Sequence, residues 1–307
     1  MNAHADHRHS VIVGVDGSDD GRRALHWAAG EAGRRGWLLR IIHAVDYPPA
    51  TFPMTIGQAN GLTEDPAVAQ KIVDEAVADV ERTWSEIEVS GEWMAGNPAV
   101  VLAREATEQD VVVVGSRGLG RVASALVGSV SSTVTRYADS PVVVVRENSP
   151  RPGHARRPRD VILGVDGSDA SVAATAFAFE AASLRGLPLT VVHAVWSPYT
   201  ESQAVVAVMT NPERVVVEDS EMLDVAETIA GWREQYPDVG VVTRYENGRP
   251  DRVLADLSDD AELLVVGTHG RGAPKALLLG SVSRHVLRHA HCPVAVVRGP
   301  NRKQRHE

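Results

Sequence analysis

Residues Val11 to Ser18 read VIVGVDGS, and residues Val161 to Ser168 read VILGVDGS, an offset of 150. A short apolar run that stops at Asp-Gly-Ser is the pattern of a buried strand ending in a turn, with the serine placed to cap a helix. Behind the first copy, Ala24, Leu25, Trp27, Ala28 and Ala32 recur at helical spacing, Gly36 ends the pattern, and LLRIIHAV begins a second strand. The same offset aligns His43-Ala44-Val45 with His193-Ala194-Val195, so strand, helix and strand are all repeated. Further on, Val113-Val114-Gly115 aligns with Val265-Val266-Gly267 at an offset of 152, which places a net insertion of two residues between these landmarks.

The remaining elements follow from periodicity. Ala69, Ile72, Val73, Ala76, Val77, Val80 and Trp84 mark a second helix, Ile87 to Met94 a third strand, and Pro98 opens a short helix through Val101 and Leu102. The unbroken apolar run DVVVVG reads as a strand buried on both faces. A helix is expected from about Gly128, and PVVVV closes the unit as a last strand. Strands alternating with helices imply right-handed crossovers and a parallel sheet, so the expected fold is α/β, with two doubly wound five-stranded domains in tandem. The domains are placed at residues 1–150 and 158–307. Between them Glu147 to Arg159 reads ENSPRPGHARRPR, rich in Pro and Arg like an exposed linker, and puts the boundary near residue 153.

A chain of 307 residues, 44% hydrophobic and 23% charged, suits two such domains. With only 5% aromatic residues the cores must be built from Val, Leu, Ile and Ala. A net charge of -9 argues against nucleic acid or an anionic membrane as partner. Cys292 is the only cysteine, so neither an intrachain disulfide nor a four-cysteine metal site can form, and a reducing, cytoplasmic setting is expected. No apolar stretch approaches the ~20 residues needed to span a bilayer. His4, His7 and His9 belong to a polar N-terminal segment expected to be disordered rather than metal-binding.

The segment with chemical content is GSRGLGRVASALVGSVS, from Gly115 to Ser131, matched by GTHGRGAPKALLLGSVS, from Gly267 to Ser283. Gly115 and Gly118 are followed by Gly128-Ser129, and Gly267 and Gly270 by Gly280-Ser281, at identical spacing. Glycines let backbone approach a ligand closely. A helix opened by Gly-Ser offers free N–H groups and a positive dipole end to phosphate. Ser129, Ser131, Ser281 and Ser283 are expected to add hydroxyl donors, beside Val130 and Val282.

This spacing, G-x2-G-x9-G-[S/T], resembles the ATP-binding pattern of the universal stress protein family, and the resemblance covers nearly the whole chain in two copies. It implies an adenine nucleotide alpha hydrolase-like, Rossmann-like fold and ATP as the ligand of each half, with the role of Mg open. By the resemblance, Asp16 and Asp166 should lie beside ribose and adenine, Ala44 and Ala194 should offer backbone groups to adenine, and the glycine loops with Ser129 and Ser281 should hold ribose and phosphates. Arg117 and His269, at matching positions in the loops, are candidates for phosphate contact, and their difference makes unequal sites a prospect. The family also suggests pairing through the last strands, Pro141 to Val145 and Pro293 to Val297, as an internal pseudo-dimer, with homodimerisation a further option. Independently of the family, Asp16, Ala44 and Gly115 all sit at strand carboxyl ends, where open α/β sheets bind ligands.

The bland alternatives are a turn or cap aspartate at Asp16 and Asp166, and core histidines at His43 and His193, which are read as structural. No catalytic residue is assigned. The GxxxxGK[ST] phosphate loop is missing from both halves. The expected function is therefore an ATP-binding stress-adaptation or regulatory protein, with slow ATP hydrolysis or adenylate handling, or a ligand-free interaction scaffold, as alternatives.

Overall fold

The computed structural model describes residues 9–46, 65–118, 128–146, 159–195, 213–270 and 279–299. The chain divides into two units, Met1–Ala155 and Arg156–Glu307. The N-terminal segment up to residue 8, the expected linker from residue 147 to 158 and the loop interiors 119–127 and 271–278 lie outside the described residues.

The first unit runs β1 (Ser10–Gly14), α1 (Asp19–Arg35), β2 (Leu38–Val45), α2 (Pro66–Thr83), β3 (Val89–Ala95), α3 (Pro98–Glu105), β4 (Val111–Gly115), α4 (Ser129–Tyr137) and β5 (Val142–Val145). Its five strands are parallel in the order β3-β2-β1-β4-β5. The second unit repeats this with β6 (Asp160–Gly164), α5 (Asp169–Arg185), β7 (Leu189–Val195), α6 (Glu213–Gln235), β8 (Val241–Asn247), α7 (Pro250–Leu257), β9 (Ala261–Gly267), α8 (Ser281–His289) and β10 (Val294–Val297). Here the parallel order is β8-β7-β6-β9-β10. Each unit is thus a doubly wound five-stranded sheet, as the repeat implied.

The sheet centres are almost wholly aliphatic. Val111 to Val114, Val142 to Val145, Leu263 to Val266 and Val294 to Val297 are all buried, which a strand covered by helices on both faces requires. Helix starts follow the sequence: Ser18 caps α1 by accepting from Gly21 N, Asp65 caps α2 and Asn97 caps α3, the last two each followed by proline.

Boundaries depart from expectation where one backbone group is already committed. Strand β3 starts at Val89 rather than Ile87, because Ile87 N donates to Trp84 O in the turn that ends α2. The last strands begin after their prolines, Pro141 and Pro293, which lack an N–H and contribute carbonyls to Val112 N and Leu264 N.

Candidate functional site

The site begins where β1 stops. Val15 N still bonds Ile42 O on β2, and the chain then turns at Gly17, whose φ of 77° is open to glycine at no steric cost. Gly167 repeats the turn at φ 71°. Within it Asp16 Oδ1 accepts from Ser18 N at 3.0 Å and Ser18 Oγ at 2.5 Å. Asp166 Oδ1 accepts from Ser168 N at 3.1 Å and from Ser171 Oγ at 2.5 Å, Ser171 occupying the position of Gly21. One carboxylate oxygen therefore does what a turn aspartate does.

The second oxygen looks the other way. A Cβ built on Gly118 would lie 2.5 Å from Asp16 Oδ2, and one on Gly270 would stand closer still to Asp166 Oδ2. In each half the aspartate from the end of the first strand meets the glycine loop from the end of the fourth.

Ala44 lies at the same carboxyl edge of the sheet by the logic of the ladder. Ile42 O faces β1, and Ala44, two residues on, directs its backbone groups to the same side. The β1 ladder ends at Gly14 opposite Ile42, so Ala44 lies past the point where β1 turns away. Val192 and Ala194 repeat the relation beside β6.

The glycine loops close on themselves. Gly128 N donates to Ser116 O at 2.6 Å and Gly280 N to Thr268 O at 2.7 Å, so each loop leaves its strand and re-enters its helix at one place. Gly128 and Gly280 are N-caps in extended conformation, and no side chain caps α4 or α8. The first-turn amides at Ser129, Val130 and Ser131, and at Ser281, Val282 and Ser283, thus start two helices whose positive ends carry no side-chain acceptor. Ser129 and Ser281 are exposed, and Val130 and Val282 half-buried.

Two expectations about this loop change. Ser131 and Ser283 do not offer hydroxyl hydrogens to phosphate: both are buried, and their Oγ atoms donate to the strand-end carbonyls of Gly115 at 2.6 Å and Gly267 at 2.7 Å. A serine has one hydroxyl hydrogen, so these two residues pin the helix start to the strand end. The absence of a side chain at Gly115 and Gly267 likewise has a packing cause: an added Cβ would meet the Asp20 backbone at 2.8 Å and Ala170 Cβ at 2.9 Å.

His43 and His193 are core residues. Their Nδ1 atoms donate to Val15 O at 2.8 Å and Val165 O at 3.0 Å, holding the first and second strand ends together. Arg117 is exposed in its loop. His269 sits more deeply, with Nδ1 at 3.0 Å from Thr268 Oγ1, and burial, then the charge of Arg298, pull its pKa below the ordinary imidazole range.

Asp20 escapes a reading of the sequence alone. Ser116 Oγ donates to its Oδ2 at 3.0 Å and Arg23 pairs with its Oδ1 at 2.8 Å, placing a carboxylate behind the first glycine of one loop only, since Ala170 stands there in the second half. The signal for it is the contrast of DGSDD with DGSDA. Among the described residues no group of three His, Cys, Asp or Glu side chains could hold a metal ion, and no helix is long and apolar enough to cross a membrane.

Comparison with known proteins agrees with this geometry. The model of the universal stress protein family matches residues 7–146 and again 158–298. A universal stress protein of Mycobacterium tuberculosis strain H37Rv is 39% identical over 302 residues, covering 95% of this chain and 97% of that protein. The crystal structure of a universal stress protein from Archaeoglobus fulgidus shares the fold with a TM-score of 0.63 at 19% identity, covering 95% of this chain and 98% of that one. A half-length universal stress protein solved in complex with cAMP is 28% identical, with a TM-score of 0.35, and covers 45% of this chain and 97% of its own. The chain belongs to the universal stress protein family, with two family domains in tandem.

Proposed function

We propose that each half of the chain binds one adenine nucleotide, ATP by preference, and that occupancy of the two sites is the signal the protein carries. The observation that supports this most is convergence. In each half a first-strand aspartate, a second-strand end with outward backbone groups and a helix start without a side-chain cap face one crevice at the carboxyl edge of the sheet. The uncapped amides suit phosphate, the carboxylate oxygen turned toward the glycine loop suits ribose hydroxyls, and the backbone groups of Ala44 and Ala194 suit the hydrogen-bonding edge of a purine.

Binding without fast turnover is the reading the side chains favour. His43 and His193, the imidazoles on the second strands, are committed to backbone carbonyls. Asp16 and Asp166 each have one carboxylate oxygen committed to donors of the turn. Hydrolysis is accordingly proposed to be slow, and any Mg2+ to arrive with the triphosphate.

The deciding experiment is mass spectrometry of the small molecules released when freshly purified protein is denatured, with the nucleotide-to-chain ratio measured. A ratio near two supports both sites. A ratio near one points to inequality between the Arg117 and His269 loops, and protein that neither carries nor titrates with adenine nucleotide refutes the proposal.

A further inference from the structure

The two faces of the first sheet are used differently. Strand β1 directs Gly14 at α3, where an added Cβ would meet Leu102, and Asp16 shares that side. On β2, Ile41 pairs with Gly91, whose own Cβ position abuts Val73 of α2, so Ala44, three residues from Ile41, also looks to the α3 side. The nucleotide crevice thus belongs to the α3 and α4 face. On the opposite face α1 packs on α2, and between them opens a cleft of about 470 Å³ that reaches the Gly17-Ser18 turn but is lined by no residue of the glycine loop and not by Asp16 or Ala44. That volume lies within the range of small-molecule sites.

The cleft has an apolar floor from Val15, Leu25, Ile72 and Ala76 and a charged wall. His26 Nε2 lies 2.7 Å from Asp79 Oδ2, and Arg82 pairs with Asp79 Oδ1, so both oxygens of that carboxylate are taken. Glu75, at the rim, faces Lys71. Arg22 also lines the cleft, and no acidic side chain among the described residues pairs with it. Arg22 and Arg82 are matched in number by Glu75 and Asp79, but Asp79 is engaged by His26 and Arg82 and Glu75 by Lys71, which leaves the Arg22 guanidinium as the cation of the wall that a ligand would meet.

The repeat supplies a comparison inside one chain. Helices α1 and α5 start at Asp19 and Asp169, which sets Val172 at the place of Arg22 and Ala176 at the place of His26. At the offset of 152 that relates β3 to β8, Gly231 stands for Asp79 and Glu234 for Arg82. Glu75 has a counterpart in Glu227, whereas the fold is built in the second half without Arg22, His26, Asp79 or Arg82. Their presence together in the first half is an addition to the fold, not a requirement of it.

We propose that the α1/α2 cleft of the first half is a second ligand site, for a small organic acid whose apolar body lies on the Val15 and Ile72 floor and whose carboxylate is taken by Arg22 beside His26. A guanidinium is suited to a carboxylate, and such charge-assisted bonds are stronger than neutral ones. The test uses the full chain with benzoate, phenylacetate and hexanoate as probes, and their neutral amides as controls, by calorimetry and ligand-observed NMR. At least one acid binds at one per chain, its amide binds about tenfold more weakly or worse, and Arg22→Val with His26→Ala, which import the second-half residues, weakens the acid by at least about tenfold. Gly118→Ala with Gly270→Ala leaves acid binding in place, which excludes the nucleotide crevice as its seat. Nucleotide content is read on the same samples, so failure of this site and failure of the nucleotide reading are told apart. If the double variant loses its native circular dichroism, Arg22→Val alone decides. No binding by any probe, equal binding by the amides, or undiminished binding by the variants overturns the proposal.

Discussion

Asp16 and Gly118 are held in direct apposition: a methyl group on the glycine would stand 2.5 Å from Asp16 Oδ2, while Asp16 Oδ1 is anchored by Ser18. The carboxylate cannot retreat without giving up those bonds. Gly118→Ala is therefore expected to weaken nucleotide binding in the first half by about tenfold or more, and Gly270→Ala to do the same in the second. Calorimetry should show one tight site in each single variant and none in the double variant. Unchanged affinity in both would remove these glycines from the site.

Ser131 and Ser129 separate a structural hydroxyl from an exposed one. Ser131→Ala leaves the half-buried Gly115 carbonyl without its donor and is expected to cost about 1–2 kcal/mol. Ser129→Ala, on the surface, should stay within about 0.5 kcal/mol. Urea unfolding followed by circular dichroism measures both, and equal midpoints would show that the Ser131 bond contributes nothing.

A packing contrast lies in two other glycines. A Cβ on Gly91 would stand 2.6 Å from both Val73 and Val77, whereas one on Gly240 meets nothing within 4 Å. Gly91→Ala should cost about 1–3 kcal/mol through overpacking between β3 and α2. Gly240→Ala should change stability by less than about 0.5 kcal/mol, and the same urea titration separates the two.

Cys292 is fully buried, and burial pushes its thiol up to about 12. At pH 8 it is a neutral thiol without access to reagent, so a colourimetric disulfide reagent should label it only after unfolding in guanidinium. Rapid labelling of native protein would contradict this placement.

His269 gives the second half a pH dependence of definite sign. Burial, with the Arg298 charge adding, lowers its folded pKa below the ordinary 6.5. Its contribution to stability is complete above that value, and is lost as the pH falls from there through the lowered folded pKa. His269→Asn should flatten the stability profile of the protein in that window, and NMR titration of the imidazole should place its midpoint below 6.5.

Much of this was readable from the repeat. Alternating strand and helix patterns with equal glycine spacing are local signals, and they located both sheets and both loops. What the sequence could not convey was the partner of a group whose neighbour is distant in the chain. The Ser131 hydroxyl looks like a ligand donor in the sequence because its acceptor, Gly115 O, is brought to it only by the return of the loop. The bareness of Gly115 looks like room for phosphate, although it is the first turn of α1, at Asp20, that needs the space. His26 and Asp79 lie on different helices, and no spacing rule joins them.

The backbone bonds from Gly128 N to Ser116 O and from Gly280 N to Thr268 O have a corollary for the loops they close. Each clamps the two ends of its loop together, and the stretches between Gly118 and Gly128, LGRVASALV, and between Gly270 and Gly280, RGAPKALLL, are equal in length and different in sequence. Clamped ends and equal length predict that either stretch can replace the other without displacing the helix starts. Exchanging the two stretches between the halves should transplant whatever the loops recognise while leaving both sheets intact.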